Sequence, residues 1–272
     1  MKYYIADAFA ETSPAGDVGH FSGNPAGVCI LDEPLPDDTM QRIAAENNLA
    51  ETAFVVPNGD DYDLRWFTPV TEIDLCGHAT LASAFVLHEV LGAGKEIYRF
   101  YTHSGLLEVT PRNGLYEMDF PAWPLRRIEI TEQMRQALDC DIIEAHLARD
   151  LILVLKDEAA VQALRPDFPA IAALPEAFGV AVTAKGNTAR DDTARIDFVS
   201  RFFAPGEGIP EDHVTGSLHC MLIPFWAARL GKDVLAARQL SPRGGTLYCE
   251  NCGARVKMAG RARLYLRGEL CV

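Results

Sequence analysis

The sequence predicts an α+β protein of two related lobes, and three observations carry that expectation. Arg65-Trp66-Phe67-Thr68-Pro69, then Gly77-His78, closing at Leu91-Gly92, returns half a chain length later as Arg201-Phe202-Phe203-Ala204-Pro205, Gly216-Ser217 and Leu230-Gly231. Self-similarity at half the length reads as two lobes, since a solenoid needs three or more short repeats. Most other stretches are short and β-rich, cut by Gly, Pro and Asp. Each half also holds one run of helical length, beginning near His78 and at Leu218, that is apolar almost all round. A helix without a polar face is normally wrapped by other elements.

The elements follow in order. Strands are expected over residues 3–6, 26–31, 52–56, 62–67, 97–102, 106–110 and 115–120. An amphipathic helix is expected over 38–48, with Met40, Ile43 and Ala44 on one face, started by Pro36-Asp37 and stopped by Asn47-Asn48. Pro121-Ala122-Trp123-Pro124 breaks the rhythm, which sets an N-terminal lobe at 1–120 and a C-terminal lobe at 125–272, with the last strand free to return to the first lobe. The second lobe begins with a polar helix over 131–138, a buried strand over 151–155 and helical pieces over 158–164. A strand over 196–203 and the apolar run 218–230 follow, in which Pro224 should kink the helix or delay its start by a turn. The tail, 245–270, alternates like closing hairpin strands.

The composition excludes several classes. With 49% hydrophobic and 23% charged residues in 272, the chain has ample core and is not a disordered tail. A net charge of −13 argues against nucleic acid or an anionic membrane as partner, because both want a basic face. No apolar run approaches the roughly 18 residues of a membrane span. The start, Met1-Lys2-Tyr3-Tyr4-Ile5-Ala6-Asp7, lacks the long apolar segment of a signal peptide. Seven cysteines without a regular framework point to reduced thiols, so the expected setting is the cytoplasm.

Several residues are candidates for chemistry. Gly77-His78 and Thr215-Gly216-Ser217 sit where extended chain turns into helix, and free N–H groups and the helix dipole make such turns anion sites. Each taken alone is as well read as a helix cap; the repetition favours ligand binding. Glu51 precedes the apolar strand Thr52-Ala53-Phe54-Val55-Val56. A carboxylate set against apolar surface suits general acid/base work, although the position alone also fits a solvated charge at a strand edge. Asp212 is a second carboxylate or an N-terminal cap, and Asn24 a ligand donor or a turn residue. Cys249-Glu250-Asn251-Cys252 lacks the second ligand pair of a zinc site and runs into a hairpin, so neither metal nor redox use is expected. Gly244-Gly245 lacks the spacing of a nucleotide loop. His20, His88, His103 and His146 show no partners at telling distances and read as ordinary surface or core residues.

Taken together, Gly23-Asn24-Pro25-Ala26, Asn48-Leu49-Ala50-Glu51-Thr52-Ala53-Phe54, Trp66-Phe67-Thr68-Pro69 with Asp74-Leu75-Cys76-Gly77-His78-Ala79-Thr80, and Glu211-Asp212 with Val214-Thr215-Gly216-Ser217 resemble the phenazine biosynthesis PhzF-like family. Ala237-Arg238-Gln239 and Ser241 with Arg243-Gly244-Gly245 agree, so the resemblance spans essentially the whole chain. It implies the diaminopimelate-epimerase-like fold: two pseudo-symmetric lobes, each a curved sheet around a central helix, with the site between them. It also implies a cofactor-free isomerase that moves a proton on a small carboxylated metabolite, and a homodimer. By the motif match Glu51 is the general acid/base, His78 and Asp212 are its catalytic partners, and Asn24, Gly77, Gly216 and Ser217 bind substrate. No metal is implied.

Two departures bear on the substrate. The family usually has Ser before its Glu and Pro after its Asp, where this chain has Ala50 and His213. The related racemases use two facing thiols; Cys76 falls at the first position, but Thr215 occupies the second, which disfavours a two-thiol racemase. A one-sided epimerase of an amino-acid-like substrate, or a binding protein that kept the fold and lost the chemistry, are the alternatives.

Overall fold

The computed structural model describes residues 1–11, 21–174, 177–187 and 195–272; His20 lies outside them. The chain forms two compact units, Met1–Asp119 with Met258–Val272, and Phe120–Lys257. Both mix strands and helices, so the class is α+β. Among the described residues no helix is long and apolar enough to cross a membrane.

The first unit opens with β1 (Lys2–Ala10), β2 (Asn24–Ile30), helix α1 (Asp37–Asn47), β3 (Glu51–Asn58), β4 (Asp61–Phe67) and the short β5 (Glu72–Ile73). Helix α2 (Gly77–Phe85) follows, continuing into a π-helical turn at Val86–Val90, and then come β6 (Tyr98–Thr102), β7 (Gly105–Arg112) and β8 (Leu115–Pro121). Neighbouring strands pair antiparallel except β2–β3 and β4–β6, which are parallel. A parallel pair needs a crossover, and α1 and α2 supply the two. Helix α1 is amphipathic as expected: Met40, Ile43 and Ala44 are buried, and Asn48 ends it at φ 50, the left-handed conformation that Asn tolerates. Helix α2 is buried from His78 to Ala84 and packs on β1, β2 and β3.

The second unit repeats this grammar. It runs through β9 (Arg126–Ile128), α3 (Glu132–Leu138), β10 (Ile142–Leu147), β11 (Leu151–Leu155), α4 (Glu158–Ala163), α5 (Phe168–Ala172), β12 (Val180–Lys185) and β13 (Phe198–Ala204). It closes with β14 (Ile209–Asp212), α6 (Gly216–Leu230), β15 (Val234–Gln239) and β16 (Gly245–Asn251). Here β11–β12 and β13–β15 are the parallel pairs, bridged by α4–α5 and by α6. Thr131, Asp157 and Asp167 start the three short helices by accepting from the N–H of Met134, Ala160 and Ala170. One apolar face of Met134, Leu138, Val161 and Ile171 then covers Leu151, Leu153, Val182, Val199 and Phe203.

Two points differ from the sequence reading. The sequence reading did not mark β5, β9, β10, β12, β14 or β15 as strands. Pro224 does not delay α6, which is continuous from Gly216. Lacking an N–H, Pro224 leaves the Cys220 carbonyl without its helical donor, and the Trp123 N–H takes that place at 3.0 Å. The last strand takes the return that the sequence left open: β17 (Arg255–Glu269) pairs antiparallel along β1, from Lys2 opposite Glu269 to Ala10 opposite Arg261, so residues 258–272 belong to the first unit.

Candidate functional site

The first unit gathers four polar groups at the start of α2. Asn24 is the first residue of β2, Glu51 the first of β3, and His78 the second of α2, with Cys76 at its N-cap. Because β2 and β3 run parallel with Ala26 opposite Glu51, both strands begin at the same end as the helix. His78 Nε2 lies 3.1 Å from Glu51 Oε2. On its other nitrogen, His78 Nδ1 lies 3.3 Å from Asn24 Nδ2 and 3.5 Å from Cys76 Sγ. Glu51 is only 8% exposed, which rules out the solvated strand-edge charge that its sequence position also allowed.

The Nε2–Oε2 approach is close yet misses the line of a hydrogen bond. Among the described residues both atoms are buried without a hydrogen-bond partner. Such groups are costly to leave unpaired, and an entering ligand that bonds to them relieves the cost. Electrostatics couple the cluster. Burial works against charge on His78, but the Cys76 and Glu51 groups outweigh it and hold the His78 pKa well above the ordinary histidine range. Burial, followed by the Glu51 charge, pushes the Cys76 thiol up.

Glu51, Cys76 and His78 also present donor atoms within 4.8 Å of one another, a spacing a metal ion could use. The orientation does not fit one. His78 meets Cys76 with Nδ1 and Glu51 with Nε2, so the donors are strung along the ring instead of converging on a point.

In the second unit, Gly216 and Ser217 open α6 as Gly77 and His78 open α2. Asp212 ends β14, and its Oδ2 accepts the Thr215 hydroxyl at 2.5 Å. Gln239 closes this turn: its Oε1 accepts from Thr215 N at 2.9 Å, and its Nε2 donates to Asp212 O at 2.9 Å and Thr215 Oγ1 at 3.1 Å. His219, one turn into α6, donates to the Thr215 carbonyl, and burial lowers its pKa to about 4, so it stays neutral. Neither Cys76 nor Thr215 caps its helix with its side chain, which leaves the first-turn N–H groups of both helices to other acceptors.

Each arm leading into a central helix is anchored twice. Arg65 grips Glu72 through Nε and Nη2 at 2.7 and 2.6 Å, and Arg201 grips Glu211 at 2.7 and 3.0 Å. Ser104 Oγ donates to the Asp74 carbonyl at 2.8 Å, and Ser241 Oγ to the His213 carbonyl at 2.9 Å. Both carbonyls lie two residues before the helix N-cap, so His213 serves here through its backbone.

The sequence reading singled out Glu51, His78, Asn24, Gly77, Asp212, Gly216 and Ser217. The structure brings the first four to one helix start and the last three to the other. It missed the Cys76 contact with His78, for which the Cys76-Gly77-His78 spacing was a usable signal, and the clamp formed by Gln239. The histidines read as partnerless have partners that a sequence cannot show: His88 with Tyr98, His103 with Glu72, and His146 with Glu144. Cys249 is buried in β16 and Cys252 is exposed in the following turn, where its N–H donates to Arg255 O.

Comparison with known proteins places the chain in a family. The sequence profile of phenazine biosynthesis-like proteins matches residues 6–268. An uncharacterized isomerase of Pseudomonas aeruginosa is 46% identical over 99% of this chain and 98% of its own. The crystal structure of a phenazine biosynthesis protein of the PhzF family from Enterococcus faecalis is 49% identical, covers 100% of this chain and 99% of its own, and gives a TM-score of 0.93. A hydroxyproline epimerase of Agrobacterium vitis shares the fold alone, with 12% identity, a TM-score of 0.58 and coverage of 98% and 91%.

Proposed function

The chain belongs to the phenazine biosynthesis-like family, and we propose that it is a cofactor-independent isomerase that moves a proton on a small carboxylated metabolite. The observation that carries the reading is the Glu51–His78 pair, buried, 3.1 Å apart and without a hydrogen bond between them. In the proposed reaction the C–H bond next to an electron-withdrawing group breaks, its proton passes to the Glu51 carboxylate, and the electron pair shifts onto a neighbouring oxygen. His78 steadies that oxygen, and Glu51 returns the proton elsewhere on the same framework. Proton count and redox state are unchanged, so no oxidant or reductant enters.

The substrate's carboxylate is assigned to the uncapped helix start at Gly77, beside Glu51 and His78, where free N–H groups offset the repulsion of a strongly acidic chain. Asp212, Gly216 and Ser217 enter the proposal as ligand-binding groups at the α6 start on the strength of the sequence repeat and the Asp212 bond to Thr215. Return of the proton to the opposite face of the same carbon would make the reaction an epimerisation.

The test is incubation in deuterium oxide with a panel of small carboxylates, followed by mass spectrometry and NMR. Label at a carbon-bound position of at least one of them is expected, and its position separates isomerisation from epimerisation. Absence of label across amino, hydroxy and unsaturated acids would contradict the reading.

A further inference from the structure

His78 is held from behind by a group that the proposed reaction does not use. Asn24 is fully buried, and its Nδ2 lies 3.3 Å from His78 Nδ1. Its place is set by the residue before it. Gly23 has a φ of +77, and a Cβ there would meet the Ala8 carbonyl oxygen at 2.3 Å, so only glycine lets the chain enter β2 at this point. The amide is therefore presented to the ring by the backbone and not by chance rotation of a surface side chain.

An amide nitrogen donates and has no lone pair to accept with, so the ring nitrogen facing it must be the acceptor. A neutral imidazole carries one N–H, and with Nδ1 accepting, that hydrogen lies on Nε2, the nitrogen turned toward Glu51. The Cys76 thiol, 3.5 Å from the same Nδ1, adds a second and weaker donor on that side. We infer that Asn24 is a positioning residue: by donating to Nδ1 it holds His78 as the Nε2–H tautomer and so divides the labour of the site, with Glu51 the proton acceptor and His78 the hydrogen-bond donor. The catalytic consequence rests on the function proposed above; the tautomer does not.

The assignment explains two features. The Nε2–H and Glu51 Oε2 are near each other but not aligned, so an oxygen of the substrate can take the first while a neighbouring C–H faces the second. In its neutral form His78 also does not compete for the proton, because its one lone pair, on Nδ1, is turned away from Glu51 and faces the Asn24 amide. The imidazolium, which the Glu51 charge favours, would set an Nδ1–H against the Asn24 N–H and would need the amide to turn and offer its oxygen. The neutral ring needs no such turn.

The test is long-range proton–nitrogen correlation NMR on histidine-labelled protein, with the His78 signals identified by their loss in His78→Gln and followed to the alkaline limit of the fold. The neutral form is expected as Nε2–H in the wild type and in Cys76→Ala. Asn24→Asp, whose carboxylate only accepts, is expected to invert it to Nδ1–H, a change that loss of packing alone would not produce. A wild-type His78 with its proton on Nδ1, an imidazolium that persists throughout, or an Asn24→Asp protein that keeps Nε2–H would overturn the inference. Where Asn24→Asp does not fold, the wild-type tautomer decides alone. None of these readings depends on turnover, so failure of the proposed reaction and failure of this inference are told apart.

Discussion

In the first unit, Arg65 on Glu72 and Ser104 on the Asp74 carbonyl tie down the arm before α2. In the second, Arg201 on Glu211 and Ser241 on the His213 carbonyl do the same before α6. The strand pairings run in the same order, with Thr52 opposite Phe67 in one copy and Val180 opposite Phe203 in the other. By that register the counterpart of Glu51 is Gly179. A Cβ at Gly179 would sit 2.2 Å from the Phe202 ring, so the second unit has no room for a side chain where the first keeps its acid. It carries a carboxylate one strand over instead: Asp150 is fully buried, accepts from the Gly179 N–H at 3.1 Å, and leaves its other oxygen without a hydrogen-bond partner among the described residues. The lesson is that the anchors repeat because both arms face the same backbone problem. The chemistry need not repeat.

The largest effect expected from perturbing this comparison is on the two clamps. Arg201 and Glu211 have side chains 10% and 11% exposed, and Arg201 also donates to the Val161 and Leu164 carbonyls. Arg65 and Glu72 are each 26% exposed. Removing one partner of a buried pair strands the other, at a cost of about 3–5 kcal/mol. Arg201→Met should lose that much in denaturant unfolding and Arg65→Met clearly less; equal losses would mean that the two anchors are energetically alike.

Next comes Asp150. Burial pushes its pKa from 3.8 up to about 6, against the opposing Arg149 charge and Gly179 N–H. An acid whose folded pKa is raised binds its proton more tightly when folded. Its contribution to stability is therefore full below about pH 4 and is lost as pH rises through about 6. At roughly 1.4 kcal/mol for each tenfold change in proton affinity, the wild type should lose about 2–3 kcal/mol across that window through this group. Asp150→Asn should remove that part of the pH slope, as read from unfolding curves between pH 4 and 7. An unchanged slope would show that Asp150 ionises freely.

Gly179→Ala is the smaller structural probe. Overpacking of this kind costs about 1–3 kcal/mol. A variant as stable as the wild type would mean that Phe202 yields easily and that the missing acid in the second unit is not a matter of space.

Much of this was legible. The Arg-aromatic-Phe repeat, the two apolar helices and the motif around Glu51 and His78 carry physical signals that stay within a few residues of one another. What could not be read depends on distant pairing. Val180-Ala181-Val182-Thr183-Ala184-Lys185 is almost wholly buried and shows no clean alternation to mark it as β12. Nothing in the sequence around Arg149-Asp150 marks a buried acid, and only the approach of Gly179 makes Asp150 a sealed carboxyl. The pairing of β17 with β1 joins opposite ends of the chain. Asn24 reads as a ligand donor or a turn residue because its sequence neighbours are turn formers; the structure turns its amide to His78.

The account stands most directly on Glu51 as the group that moves the proton. The deciding measurement is the rate at which Glu51→Gln incorporates solvent deuterium into the first carboxylate that the wild type labels, with binding of that ligand followed in parallel by calorimetry. Binding is expected to survive while labelling falls by roughly 10²–10⁴, the scale of lost acid/base catalysis. Labelling at a near wild-type rate by the folded variant would remove Glu51 from the chemistry and contradict the account.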